Sequence, residues 1–423
     1  MPLAFLQHMR ELTKPQRRAF TACFLGWSLD SFDFFILTFC LDDVATQFQI
    51  SRTTVTESIF ATLAMRPVGA LLFGWLAERF GRRPVLMANI VCFSVFELAS
   101  AFAPSWHIFL FSRALFGIAM GGEWGVGAAL ALESLPVKGR GFFSGLLQEG
   151  YVAGNFLAAA VYGLFGLAIA HFHLHGFLAS WRVLFVVGSF PALLVFYVNA
   201  HVEESPAWKS SARGQRSTVK RWTFLREFLR HIPKLLFLTL MMFAFMSFSH
   251  GTQDLYPRFL KHDHLFSAPH VSLIAIVGNI GAFAGGVFCG SVSERFGRKR
   301  TIVAAALLAI LVVPLWAWSH TVVALALGGF LMQFMVQGAW GVVPAHLNEL
   351  SPGPLRSVLP GLAYQLGALL SSWNIVLQST VADRFFGGRL APVMAGTVLV
   401  VGVSVATITA FGAEAKGADL SRS

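Results

Sequence analysis

The sequence predicts an all-α integral membrane protein of twelve transmembrane helices in two pseudo-symmetric six-helix halves. Three observations predict it. Of 423 residues, 56% are hydrophobic and 13% charged, against roughly 25% charged in an ordinary soluble domain. The apolar residues gather in long runs, each near the ~20 residues that cross a hydrocarbon core about 30 Å thick. The chain also repeats itself. GWLAERFGRRPVL begins at Gly74 and GSVSERFGRKRTI at Gly290, 216 residues on. The same interval joins Trp124 to Trp340, Glu133 to Glu349, Pro136 to Pro352, Arg140 to Arg356 and Gly145 to Gly361. One interval held this long implies a duplicated six-helix unit, and such repeats place a site at the repeat interface.

In order, the spans are expected near 20–41, 58–77, 84–103, 107–132, 142–169 and 181–198, then near 235–257, 271–292, 301–318, 322–345, 357–380 and 392–411. The first follows a polar, basic stretch that ends at Arg18. No short apolar core precedes a small-residue cleavage site, so no cleavable signal peptide is expected. Spans two and eight stop at the charges of the two repeated Glu-Arg-Phe-Gly-Arg turns. Span four carries Gly117, Gly121 and Gly125 at every fourth residue, which lets another helix approach closely. After span six comes the longest polar stretch, 201–234. The division is therefore a first half (1–199), a cytoplasmic linker (200–234) and a second half (235–423).

The charges orient the bundle. Of 32 Lys and Arg, 24 lie on the face shared by the termini, six on the other face, and Arg66 and Arg113 within spans. The positive-inside rule then puts both termini in the cytoplasm, and the plasma (inner) membrane is the expected location. The net charge of +11 reads as membrane-surface attraction, and no nucleic-acid partner is expected. Cys23, Cys40, Cys92 and Cys289 sit in apolar runs and read as packing residues without a disulfide. HFHLH (171–175) and HDH (262–264) fall in outer loops. They are scattered, so no metal, cofactor or enzymatic role is expected.

Ionisable groups inside spans are costly, about 2.5–3.5 kcal/mol each on insertion scales, and face a bundle interior or a watery cavity. His250 and Asp254, in FMSFSHGTQDLYPRF, are four residues apart and share one helix face. Such a pair can exchange a proton, or it can bridge helices structurally. Arg66 lies halfway down span two, and its planar fork suits a carboxylate. It is the first choice for an anion, with an ion pair to Asp30, Asp33 or Glu149 as the alternative. Gln365 lies 216 residues after Glu149, so both are expected to face the cavity. Gln365 could orient a substrate and Asn155 could assist, or both could make plain interhelical bonds.

The two repeated turns resemble the Gly-x-x-x-Asp-Arg-x-Gly-Arg-Arg signature of the major facilitator superfamily, with Glu78 and Glu294 where Asp is usual. RALFGIAMGGEWGVGAALALESLPVKGRG (113–141) and ESPAW (204–208) resemble the marks of its sugar- and metabolite-porter branches. Ser249, His250, Gln253 and Asp254 resemble the seventh-span pattern of the sialate:proton symporter family, which includes lactate/pyruvate permeases. Met246 and Arg258 depart from it. YQLG (364–367) and LLQEGY (146–151) also look like this family, and the polar linker favours its monocarboxylate branch.

The resemblance implies a proton-coupled uptake symporter for a small monocarboxylate of the lactate or pyruvate type, working by alternating access. The partners would be a small organic anion, protons and the bilayer, with a monomer as the working unit. It implies that Asp30 or Asp33 pairs with Arg113 and releases it on protonation. It implies that Gly74, Glu78, Arg79, Gly81, Arg82 and Arg83, with Glu294, Arg295, Gly297, Arg298 and Lys299, latch the halves in an outward-open state. The residues themselves suggest Arg66, His250, Gln365, Asn155 and Gln253 for substrate, and Asp254, His250 and Glu149 for the proton. Competing expectations are a symporter for sialate, an aromatic acid or a dicarboxylate, an efflux antiporter, and a membrane sensor that binds without transporting.

Overall fold

The computed structural model describes residues 10–173, 175–214 and 221–420. Residues 1–9 and 421–423, residues 215–220 of the linker and Leu174 of the HFHLH stretch lie outside the described residues. Among the described residues every regular element is helical. The first half comprises α1 (Lys14–Phe39), α2 (Arg52–Phe80), α3 (Arg82–Ala101), α4 (Trp106–Ser134), α5 (Arg140–Phe172) and α6 (Arg182–His201). The second half comprises α7 (Ile232–His262), α8 (Ala268–Phe296), α9 (Arg298–Ala317), α10 (Val322–Leu350) and α12 (Ala391–Phe411). These eleven, among the described residues, are each long and apolar enough to cross a membrane. The crossing expected at 357–380 differs. It is built from two shorter helices, Leu359–Ser371 and Asn374–Phe385, together called α11. Polar Ser371, Ser372 and Asn374 surround the break. Across it α11 reaches α7, where the Asn374 amide donates to Ser247 O at 3.3 Å.

Helix ends follow local chemistry. Thr13 and Gln16 form a reciprocal capping box at α1, and Ser51 Oγ accepts from Thr54 N at 3.0 Å at α2. The repeated turns between α2 and α3 and between α8 and α9 pivot on Gly81 (φ +105°) and Gly297 (φ +99°). L side chains rarely adopt that region.

Glycine spacing sets helix packing in both halves. In the first half Gly117 and Gly121 of α4 rest on the Thr62 and Arg66 backbones of α2, and Gly69 of α2 rests on the Ile118 backbone of α4. In the second half α8 supplies the glycines, Gly281 and Gly285 resting on the Phe330 and Phe334 backbones of α10. The rim carries large apolar side chains turned outward, Phe156, Phe196, Leu311 and Phe411 among them. A bilayer would cover this surface.

Leu12 and Leu420 are buried in one apolar cluster, so both termini lie on the same face, called here the terminal face. At that face the halves meet backbone to backbone. A Cβ on Gly125 would lie 2.9 Å from Gly361 Cα, and one on Gly74 would lie 2.7 Å from Ser357 O. Gly141 against Gly290 and Gly145 against Gly286 make the matching contacts between α5 and α8. The two halves are therefore closed against each other at this end.

Candidate substrate and proton site between the halves

The repeated turns build a charge latch with pseudo-twofold symmetry. Arg82 binds Glu78 (2.8 Å) and Glu133 (3.2 Å). Its repeat, Arg298, binds Glu294 (3.0 Å) and Glu349 (3.0 Å). Each of these pairs lies within one half. The crossing contacts use the same carboxylates: Arg356 reaches Glu133 (3.4 Å) and Arg140 reaches Glu349 (3.3 Å). Glu78 accepts from Ser357 N at 2.9 Å, and Glu294 accepts from Gly141 N. All of these groups correspond at the 216-residue interval. Two backbone carbonyls of the tail close the ring, Ala418 O on Arg140 (2.8 Å) and Leu420 O on Arg356 (2.9 Å).

ESPAW clamps the first turn. Glu204 accepts from Arg82 N (2.9 Å) and Arg83 N (3.2 Å), Ser205 Oγ donates to Glu133, and Trp208 Nε1 donates to Glu78 O (3.1 Å). Burial pushes the Glu204 carboxyl above its ordinary value, against the backbone N–H groups that pull it down. Not every basic residue of the motif joins the latch. Arg79 and Arg295 are exposed, stacked over Phe80 and Phe296. Arg83 donates to Asn199 O at 2.5 Å, within the first half.

Towards the middle of the bundle the latch gives way to aromatic rings. Tyr364 of α11 stacks on Trp124 of α4 with centroids 4.4 Å apart, across the seam. Trp27 (6.1 Å) and Trp340 (5.9 Å) meet Tyr364 edge-on, and Tyr151 stacks on Trp27 at 6.0 Å. The indole N–H groups of Trp27, Trp124 and Trp340 are buried and find no hydrogen-bond partner in the protein. Buried indole N–H groups usually do find one.

Arg66 belongs to this centre. Its side chain is a charged neighbour of Tyr151, Tyr364, Asp30 and Glu123. Yet no hydrogen bond or ion pair of its guanidinium occurs among the described residues, and its buried Nε is unpartnered. The arrangement is a fixed cation among aromatic faces and unused donors, at the junction of the halves. It can receive a carboxylate on a small organic body.

The remaining sequence expectations divide. His250 Nδ1 lies 3.2 Å from Asp254 Oδ2, as the four-residue spacing requires. The pair is 40% and 33% exposed and not deeply buried. Asp254 ends the helix Ile232–Gln253, where the chain bends into Tyr256–His262. Gln253 is engaged with α10, donating to Gln333 Oε1 at 2.7 Å. Gln337 of α10 reaches Ser249 at 3.1 Å. Asn155 is exposed and makes no described hydrogen bond.

Gln365 and Glu149, expected from the repeat to face the cavity, each keep one side-chain oxygen without a hydrogen-bond partner. Both are buried in the seam, Gln365 reaching Gly121 O at 3.5 Å and Glu149 lying against Gly286.

The pairing expected for Arg113 is corrected. Its guanidinium bonds Glu97 of α3, both groups fully buried, and lies over Phe116. Asp33 neighbours that pair without bonding it, and Asp30 lies towards Arg66. Glu97 wins because it reaches Arg113 across the tight α3–α4 contact. Removing one member of a buried pair strands the other, at about 3–5 kcal/mol. Arg113→Gln should therefore lower the thermal unfolding temperature more than the double change Glu97→Gln/Arg113→Gln does. Equal losses in a detergent thermal-shift series would contradict the pairing.

A family model described as "Sugar (and other) transporter" matches residues 19–224 and 236–410. The chain is 28% identical to the probable 4-methylmuconolactone transporter of Cupriavidus pinatubonensis, over 85% of this chain and 82% of that one. It is 28% identical to the sialic acid transporter NanX of Escherichia coli, over 91% and 88%. It is 25% identical to the cis,cis-muconate transport protein of Acinetobacter baylyi, over 88% of each. Among solved structures, the proton:xylose symporter XylE superposes with a TM-score of 0.73 at 19% identity, over 96% and 98%. FucP in its outward conformation gives 0.70 at 11%, over 93% and 99%. These two show the fold. With its model matched across both halves, the chain belongs to the Sugar (and other) transporter family and has the major facilitator fold: it is a multi-pass membrane transporter and not an enzyme.

Proposed function

We propose that the protein is a proton-coupled uptake symporter for a small monocarboxylate, in the plasma (inner) membrane, with the terminal face in the cytoplasm. The observation that carries this reading is Arg66, a buried guanidinium at the junction of the halves to which no carboxylate is hydrogen-bonded or ion-paired among the described residues. Buried donors left without hydrogen bonds are costly, and a carboxylate satisfies the guanidinium fork. The latched terminal face makes this the state that receives anion from outside. Transport then requires the Glu133–Arg356 and Glu349–Arg140 contacts to open as the outer ends close.

His250 and Asp254, partly exposed, act in this reading as the proton's entry point. Asp254→Asn should abolish accumulation driven by a pH gradient in proteoliposomes while leaving anion exchange. Accumulation equal to wild type would remove Asp254 from the mechanism.

A specific observation favours a second reading, of a planar conjugated acid. Trp27, Trp124, Trp340, Tyr151 and Tyr364 present faces suited to stacking such a body, and relatives are named for muconate and methylmuconolactone. Competition against labelled uptake decides between them. Lactate and pyruvate should compete in the first case, and benzoate and muconate in the second.

A further inference from the structure

Glu123 of α4 is a buried acid that the latch and the outer pair leave unused. It is 0% exposed, and neither of its carboxyl oxygens has a hydrogen-bond partner in the protein. Asp30 of α1, also 0% exposed, is in the same condition. The two acids neighbour each other and share one cation, Arg66. Gly26 keeps the space in front of Glu123 open, since a Cβ there would lie 2.6 Å from Glu123 Oε1.

The groups facing this trio are few. α1 also brings Cys23 and, beside Asp30, Asp33. α5 and α11 bring Tyr151 and Tyr364 near Arg66. From α3, Glu97 is bound to Arg113. From α10, His346 lies near Arg298, Lys299 and Glu414, at the terminal face. Arg66 is thus the one cation near the two acids among the described residues.

Two carboxylates and one guanidinium would leave a net negative charge in a low-dielectric interior, where an unbalanced charge costs several kcal/mol. We propose that Glu123 and Asp30 form the coupling proton site of the substrate centre, sharing one proton when it is empty and holding two when an anion is bound to Arg66.

The charges balance in both states. Empty, one carboxylate offsets Arg66. Loaded, the anion offsets Arg66 and both acids are neutral. Each anion therefore enters with one proton, which forms an O–H bond at the remaining carboxylate. When the terminal face opens, that O–H bond breaks and the proton leaves to the cytoplasm with the anion. The cycle is electroneutral, with one proton per anion. This rests on the anion-binding role of Arg66 proposed above.

The test reads the site without substrate. Infrared pH-difference spectra of the ligand-free protein in lipid should show a protonated-carboxyl C=O band whose intensity changes with pH. Glu123→Gln should delete or shift that band, and Asp30→Asn should move its midpoint by at least one pH unit. A Glu123→Gln spectrum superposable on that of the wild type would overturn the proposal. If Glu123→Gln does not fold, Asp30→Asn decides, and an unmoved midpoint overturns it equally. Failure of wild-type protein to accumulate anion under a pH gradient would instead sink the symport reading. The two failures are therefore distinguishable.

Discussion

Replacing Arg66 with alanine should lower kcat/KM for the transported anion by about thirty- to several-thousand-fold. The magnitude follows from the about 2–5 kcal/mol lost when one member of a desolvated charge pair is truncated, at about 1.4 kcal/mol per tenfold. Arg66 is 7% exposed, and its guanidinium has no ion-pair partner of its own. Its removal therefore dismantles no described salt bridge, and the loss should fall on transport more than on folding. Arg66→Lys keeps the charge but not the planar fork, so it should recover only part of the activity. Labelled uptake checks both variants, beside a thermal-shift control. An alanine variant that transports like wild type would move the anion site away from α2.

The second large effect is conformational. Gly125→Val should drive the terminal face open. A Cβ at Gly125 already meets Gly361 Cα at 2.9 Å, Ser357 O at 3.2 Å and Gly361 N at 3.3 Å. All three are backbone atoms of the opposite half, and backbone cannot yield as a long side chain can. Overpacking of about 1–3 kcal/mol is felt only while the halves touch. The equilibrium should shift away from the latched state by about five- to 150-fold. Labels at Arg79→Cys and Arg295→Cys report the separation, since both positions are exposed on the terminal face, one in each half. The four native cysteines would first be replaced. Spin-label distances should lengthen in Gly125→Val, and an unchanged distribution would mean that the glycine contact does not set the closed state.

Much of this architecture was legible from composition and from one interval. The 216-residue repeat brought out the pairs that make the latch, Arg82 with Arg298 and Glu133 with Glu349, because duplicated halves keep duplicated contacts. What it could not supply was the partner of each. Arg113 turned to Glu97 and Arg66 stayed open because helix rotation and tilt, set by glycine contacts such as Gly121 on Arg66, decide which spans exchange charges.

Glu97 and Glu123 were passed over although both lie inside expected spans. Reading every intramembrane charge as a candidate would have found them. Glu123 was hidden by the glycines around it, which read as packing. The Gln333 and Gln337 partners on α10 and the docking of Leu420 had no periodic signal at all. The break in α11 did have one, in the polar residues from Ser371 to Asn374.

The central claim is that the anion crosses only with a proton, in an electroneutral step. Its most direct test is the steady-state accumulation ratio in proteoliposomes under imposed pH gradients, with and without a potassium-diffusion potential. The account predicts about tenfold accumulation per pH unit, since about 1.4 kcal/mol is a factor of ten, and no response to the potential. Accumulation indifferent to the pH gradient, or one that follows the potential, would contradict it.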